Sequence, residues 1–205
     1  MRTLINILLH TVRLWWQEVV LMLVLNAGWF VLQIPVVTGP PATAMVYAMA
    51  RRSMDGEYWG LRDAWDAFRA LFWPAWRWAA INGLIWFVGI WNLVSYWQAP
   101  GAVWFSLRLL WIAALSLWLA LNLYYWPFWL AQDDRSLLNT YRNCGRFLLL
   151  HPGLGLALLV HCIVLTIVSL VTTLPFTLAL MCWLALITLS AVRGSLAAQR
   201  EVASS

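Results

Sequence analysis

His161 stands beside Cys162 within an apolar stretch, and Asp133 beside Asp134 at the end of another. An imidazole next to a thiol could serve nucleophilic chemistry, and two carboxylates could serve acid–base work. Neither pair has suitable placement. Neighbours on a helix point about 100° apart, so His161 and Cys162 form neither a ligand pair nor a nucleophile–base pair. A core histidine hydrogen-bonded to another helix is expected instead. The two aspartates fall at a predicted span end, where solvation or helix capping is the ordinary role. Cys144, Cys162 and Cys182 are too widely spaced for a metal motif and suggest no disulfide framework. No phosphate-cradling glycine loop or dinucleotide fingerprint occurs. No catalytic residue, cofactor or metal is expected.

The eight acidic residues are Glu18, Asp55, Glu57, Asp63, Asp66, Asp133, Asp134 and Glu201. All lie at or outside the predicted boundary of the apolar segments. That argues against a cation-coupled transporter, which usually keeps an ionisable acid in its pathway. The remaining intramembrane polar groups are Asn26 and Gln33 on one face of the first span, Asn82 and Asn92 on the third, and Arg108 and Asn122 on the fourth. Such groups ordinarily join helices, at about 0.6–2 kcal/mol each. Arg108 differs, because it is the lone arginine of the outer half and has no acid at its depth. It must snorkel, or find a dipole or an anion. Asn26, Gln33, Asn92 and Arg108 are therefore the candidate polar pocket.

The elements that must position these groups follow from composition. Of 205 residues, 63% are hydrophobic and 10% charged, with mean hydropathy +0.76. Soluble domains have roughly 45–50% apolar and about 25% charged residues, so an integral membrane protein is expected. The net charge of +5 comes from thirteen arginines and no lysine. It signals topology first and attraction to anionic lipid second, with no nucleic-acid module to explain it.

Apolar runs of membrane length cover 18–37, 74–97, 102–131, 152–173 and 175–193. A sixth, 40–53, reaches only about 20 Å against a hydrocarbon core of about 30 Å. Arginine placement chooses between five and six. With five spans, Arg51, Arg52, Arg62, Arg69, Arg135, Arg142 and Arg146 would lie outside, against the positive-inside bias. With six, they share one side with Arg193 and Arg200, and the outer turns "TGPP", "QAPG" and "TTLP" carry no charge. The fold class expected is thus an all-α membrane protein with six membrane segments, the second short, and both termini inside. Residues 1–205 form a single multipass membrane domain. Pro40 or Pro41 starts the second segment, where a missing N–H costs little. Ala42-Thr43-Ala44 has the small-x-small form of a signal-peptide cleavage site, but the late apolar run and Pro41 argue for retention.

Three stretches read as cytoplasmic amphipathic interfacial helices. Ile5, Leu8, Leu9, Val12, Trp15 and Trp16 oppose Asn6, His10, Arg13 and Gln17. Leu61, Trp65, Phe68 and Phe72 oppose Arg62, Asp66 and Arg69. Leu138, Tyr141 and Gly145 oppose Asn139, Arg142, Asn143 and Arg146. Tryptophans near span ends, among them Trp73, Trp97, Trp104, Trp126 and Trp129, read as interfacial belts.

The stretch "GPPATAMVYAMARRSMDGE" resembles the YesL family of bacterial membrane proteins. The matching positions are Gly39, Pro41, Ala42, Thr43, Ala44, Tyr47, the basic pair Arg51 and Arg52, then Gly56 and Glu57. The arm "AWDAFRALF" is similar to the family's aromatic, basic arm. Met45 stands where a second alanine is the family pattern. The resemblance implies a multipass protein of the bacterial cytoplasmic membrane, associated with carbohydrate ABC importers and their sensors, with no established activity.

The expected function is a non-enzymatic accessory or regulatory partner of a carbohydrate ABC uptake system. It would work in the lipid bilayer beside permease subunits or a membrane sensor. The alternative is a small solute transporter or channel using the candidate polar pocket. A lipid-modifying enzyme comes third, for want of a catalytic constellation.

Overall fold

The computed structural model describes the backbone of residues 2–172 and 179–204, and the side chains of residues 5, 7–172 and 179–197. The predicted outer turn at Thr172–Pro175 falls largely outside these residues. Among the described residues every regular element is a helix.

Proline sets several of the boundaries. Pro40 and Pro41 stand at the first positions of α3 (Gly39–Met54), after α1 (Arg2–Gln17) and α2 (Val19–Gln33). Pro74 lacks the N–H that would reach the Ala70 carbonyl, and α4 (Leu61–Ala70) ends there before α5 (Phe72–Ser95). Pro127 does the same to Leu123, splitting the run expected at 102–131 into α6 (Ala102–Leu123) and α7 (Tyr125–Ala131). His151, held out of the helical region by Pro152, separates α8 (Leu137–Leu150) from α9 (Pro152–Thr172). The last helix is α10 (Leu180–Ser204).

The short segment expected at 40–53 is the hub. At 16 residues α3 is about 24 Å long. Ala42, Ala44, Val46 and Ala50 are wholly buried, and α2, α4, α5, α7 and α10 surround them. Small side chains let five neighbours come close where lipid offers no hydrophobic drive. The span expected at 18–37 is shorter: α2 stops at Gln33, and residues 34–38 turn, with Thr38 Oγ1 donating to the Leu32 carbonyl at 2.5 Å. Between α1 and α2 the chain bends by 92° at Glu18, so α1 leaves the bundle direction, as the interfacial reading of 5–17 expects.

By length and apolarity four helical stretches could cross a membrane: 72–95, 102–131, 152–172 and 180–197. A fifth counts if the bent pair α1–α2 is one span.

Two expectations need correction. Trp126 and Trp129 do not sit in a belt; they are buried with α7 between the hub and α10. On α8 the buried residues are Thr140, Cys144 and Phe147, while Leu138 is 80% exposed. The buried face is rotated because Thr140 can go inside: its hydroxyl donates to the Ser136 carbonyl and accepts from Gln132.

Candidate functional site

The polar end of α3 gathers charged and hydrogen-bonding side chains from the α1–α2 bend, α3, α4 and α10. Gly56 adopts φ +71 just past the helix. Its N–H reaches the Ser53 carbonyl and that of Glu57 the Arg52 carbonyl, both near 3.0 Å, closing a Schellman cap. This turn throws the chain back toward α3. Arg52 Nη1 then meets Asp63 Oδ1 at 3.0 Å, and its Nε lies 3.8 Å from Glu57. Asp63 also accepts from the Gly60 N–H at 2.9 Å, capping α4. That backbone bond, followed by Arg52, holds the Asp63 carboxyl below its ordinary value.

Ser53 ties three elements together. Its hydroxyl donates to Glu18 at the α1–α2 bend at 2.5 Å and accepts from the indole of buried Trp59 at 2.6 Å. On the other side, Asp55 accepts from Arg193 of α10 at 2.8 Å and pairs with Arg51 at 3.7 Å. Arg193 Nη1 also donates to the Met54 carbonyl at 3.0 Å. The end of α3 is therefore braced to the bend, to the arm and to α10.

The motif residues fall into place along α3. Gly39 accommodates Gln33, whose Nε2 donates to the Gly39 carbonyl at 3.3 Å; a Cβ there would come within 2.6 Å of the Gln33 Oε1. Thr43 accepts from Trp29 Nε1 at 3.0 Å. Pro41, Ala42, Ala44 and Tyr47 are buried. Arg51, Arg52, Gly56 and Glu57 belong to the braced end.

The four candidate pocket residues make bonds at separate places. Buried Asn26 accepts from the backbone N–H groups of Met181 and Cys182, in the first turn of α10, at 2.8 and 3.2 Å. Gln33 serves Gly39. Asn92 donates to the Val88 carbonyl of its own helix at 2.7 Å. Arg108 donates to the Trp97 carbonyl in the α5–α6 connection.

A polar network that spacing did not reveal joins α5, α6 and α8. Trp78 and Tyr141 both donate to Asn122 Oδ1 at 3.0 Å, and Trp118 donates to Asn82 Oδ1 at 2.9 Å. Asn82 Nδ2 reaches the Trp78 carbonyl and the Tyr141 hydroxyl. The amides on α5 and α6 were visible in sequence. Their link through Tyr141, placed by α8 some 19 residues beyond Asn122, was not.

Elsewhere, His161 accepts from Trp183 of α10 at 3.4 Å, so it does bond to another helix. Asp134 accepts from Asn139 at 2.5 Å near the start of α8. The three cysteines are buried and unbridged. Among the described residues no three His, Cys, Asp or Glu side chains gather as a metal would require.

Three cavities adjoin these groups. One of about 360 Å³ lies among the membrane-length helices, walled by Thr43, Tyr47, Trp78, Asn122, Cys162 and Thr166. Two more, of about 260 and 360 Å³, lie at the arginine-bearing end between α3, α7, α8 and α10.

Residues 22–93 match the model of a family described as Protein of unknown function, DUF624. No curated protein and no solved structure matches the chain. The DUF624 match runs from within α2 through α3 and α4 and into α5. It takes in the hub and most of its braced end, with Ser53, Trp59 and the Arg52–Asp63 pair, but neither Glu18 nor α10.

Proposed function

We propose that the chain is a non-enzymatic protein of the bacterial cytoplasmic membrane. It acts as an accessory or regulatory partner of a carbohydrate ABC uptake system, meeting permease subunits or a membrane sensor. The braced end of α3 carries this reading. Ion pairs and buried hydrogen bonds there hold Tyr58, Leu61 and Trp65 exposed on a fixed frame beside Arg62 and Arg69. A fixed surface with aromatic and cationic side chains suits protein docking. The DUF624 match accords with the YesL resemblance, since YesL proteins belong to DUF624.

In this reading the membrane segments number six. α2 and α3 form a short hairpin, and α5, α6–α7, α9 and α10 complete the set, with both termini inside. The Arg193–Asp55 pair supports this, because it places the arginine ends of α3 and α10 together. α1, α4 and α8 lie at the cytoplasmic surface.

Purification of the full chain from native membranes tests the role. Permease or sensor subunits should copurify and be lost when Trp65 and Arg69 are replaced by alanine. Solute flux by the pure protein in liposomes, with no such subunits recovered, would favour the transporter or channel reading instead. The bonds of Asn26, Gln33, Asn92 and Arg108 to separate backbone groups give that reading little support.

A further inference from the structure

We propose that the two cavities at the arginine-bearing end form one site for the phosphate headgroup of an anionic phospholipid. The site is independent of the partner reading.

The cavities share Ala131 and Leu196 as a common wall. The first is lined by Arg51, Asp55 and Arg193 on its polar side and by Pro127 and Leu189 on its apolar side. The second has Arg146, Gln132, Asn143 and Ser195 against Phe128 and Phe147. Each thus sets a cation at its lip over an apolar wall, which matches a headgroup attached to acyl chains better than a freely soluble anion. Basic pockets between membrane helices on the cytoplasmic side bind anionic headgroups on this principle.

Cations are in excess here, whereas on the opposite side of α3 the acids are. Arg52 faces two acids, Asp63 and Glu57. Arg51 and Arg193 share Asp55, the one acid among the described residues that lines either cavity. Arg146 makes no ion pair or hydrogen bond within the described residues. Both bonds of Arg193 leave from Nη1, so Nε and Nη2 remain for an anion. A phosphate diester supplies the missing charge and accepts from planar guanidinium forks in bidentate fashion. Leu150, which lines the second cavity and is largely exposed, offers apolar surface along which chains would run.

The test uses the full chain in a neutral detergent. Melting is followed against added dioctanoyl phosphatidylglycerol, dioctanoyl phosphatidylcholine, glycerol 3-phosphate or inorganic phosphate. Phosphatidylglycerol should raise Tm saturably, and the other three should not. Arg146→Gln should melt like wild type without lipid, because Arg146 bonds to none of the described residues, yet bind phosphatidylglycerol about fivefold more weakly, the worth of one cation near an anionic surface. Arg193→Gln should weaken binding at least as much, and Arg77→Gln, exposed on α5 and lining neither cavity, should not. Equal stabilisation by the two lipids, or unchanged binding by Arg146→Gln, overturns the proposal. Saturation by glycerol 3-phosphate or phosphate alone also overturns it, by giving the arginines to a soluble phosphate.

Discussion

The Asn26 side chain accepts the backbone N–H of Met181 at 2.8 Å, across 155 residues of chain. The same oxygen takes the N–H of Cys182. An amide in the middle of α2 thereby satisfies two donors of the α10 first turn, which a helix cannot satisfy internally. Asn26→Ala should leave both donors unpaired in a buried place, costing about 1–3 kcal/mol. Melting in detergent checks this. A stable Asn26→Ala protein with altered solute flux would return Asn26 to a transport pathway.

That relationship marks what a single sequence could and could not tell. The boundaries at Pro41 and Pro152 act through the residue's own ring and missing N–H, so they are local and readable; the break before Pro127 has the same local cause, but hydropathy reads through it, as one run over 102–131. Ala42 and Ala44 are small enough to be buried at a crowded hub, but size alone does not say which five helices meet there. The 92° bend at Glu18 was legible only as the change from an amphipathic to an apolar run near residue 18; the Ser53 bond that fixes it, from 35 residues away, was not. Likewise Gln33, Asn92 and Arg108 share comparable depths in a linear count, but depth does not say which backbone group each will meet. The rotated face of α8 was missed because Thr140 counts as polar until Ser136 and Gln132 are seen to satisfy it.

Close packing at the hub predicts a steep response at Ala42, which has no exposed surface. Ala42→Leu should cost about 1–3 kcal/mol through overpacking and lower the folded yield. Normal yield and melting would mean the surrounding helices can part.

The Schellman turn predicts a smaller effect at Gly56, where φ is +71. Gly56→Ala should destabilise by about 1 kcal/mol, and Gly56→Asn by less, because asparagine tolerates this region better. Thermal melts of the two variants should rank in that order.

Asp63 gives a pH dependence. Its folded pKa lies below the ordinary 3.8, through the Gly60 N–H and then Arg52. A depressed carboxylate contributes stability that is present above the unfolded pKa and is lost as pH falls through the folded value. Stability should therefore fall below about pH 4. Asp63→Asn should flatten that part of the profile, and Arg52→Gln should raise the Asp63 pKa measured by carboxyl NMR shifts. Asp63→Asn with an unchanged acid limb would assign the loss to other carboxylates.

Topology can be read directly, and the argument rests on where the arginines go. Arg51 and Arg52 end α3, Arg193 meets Asp55 at the same end, and Arg62 and Arg69 follow on exposed α4. The α5–α6 connection at 96–101 carries no charge. If the positive-inside bias governs, all these arginines face the cytoplasm and that connection faces out. A reporter active only in the cytoplasm should work when inserted at Gly56 or fused beyond α10, and should fail at Gly101. Periplasmic exposure of Gly56 would require α2 and α3 to enter and leave differently, as a single bent crossing. It would also set the Arg52–Asp63 pair on the outer face, where the bias disfavours it.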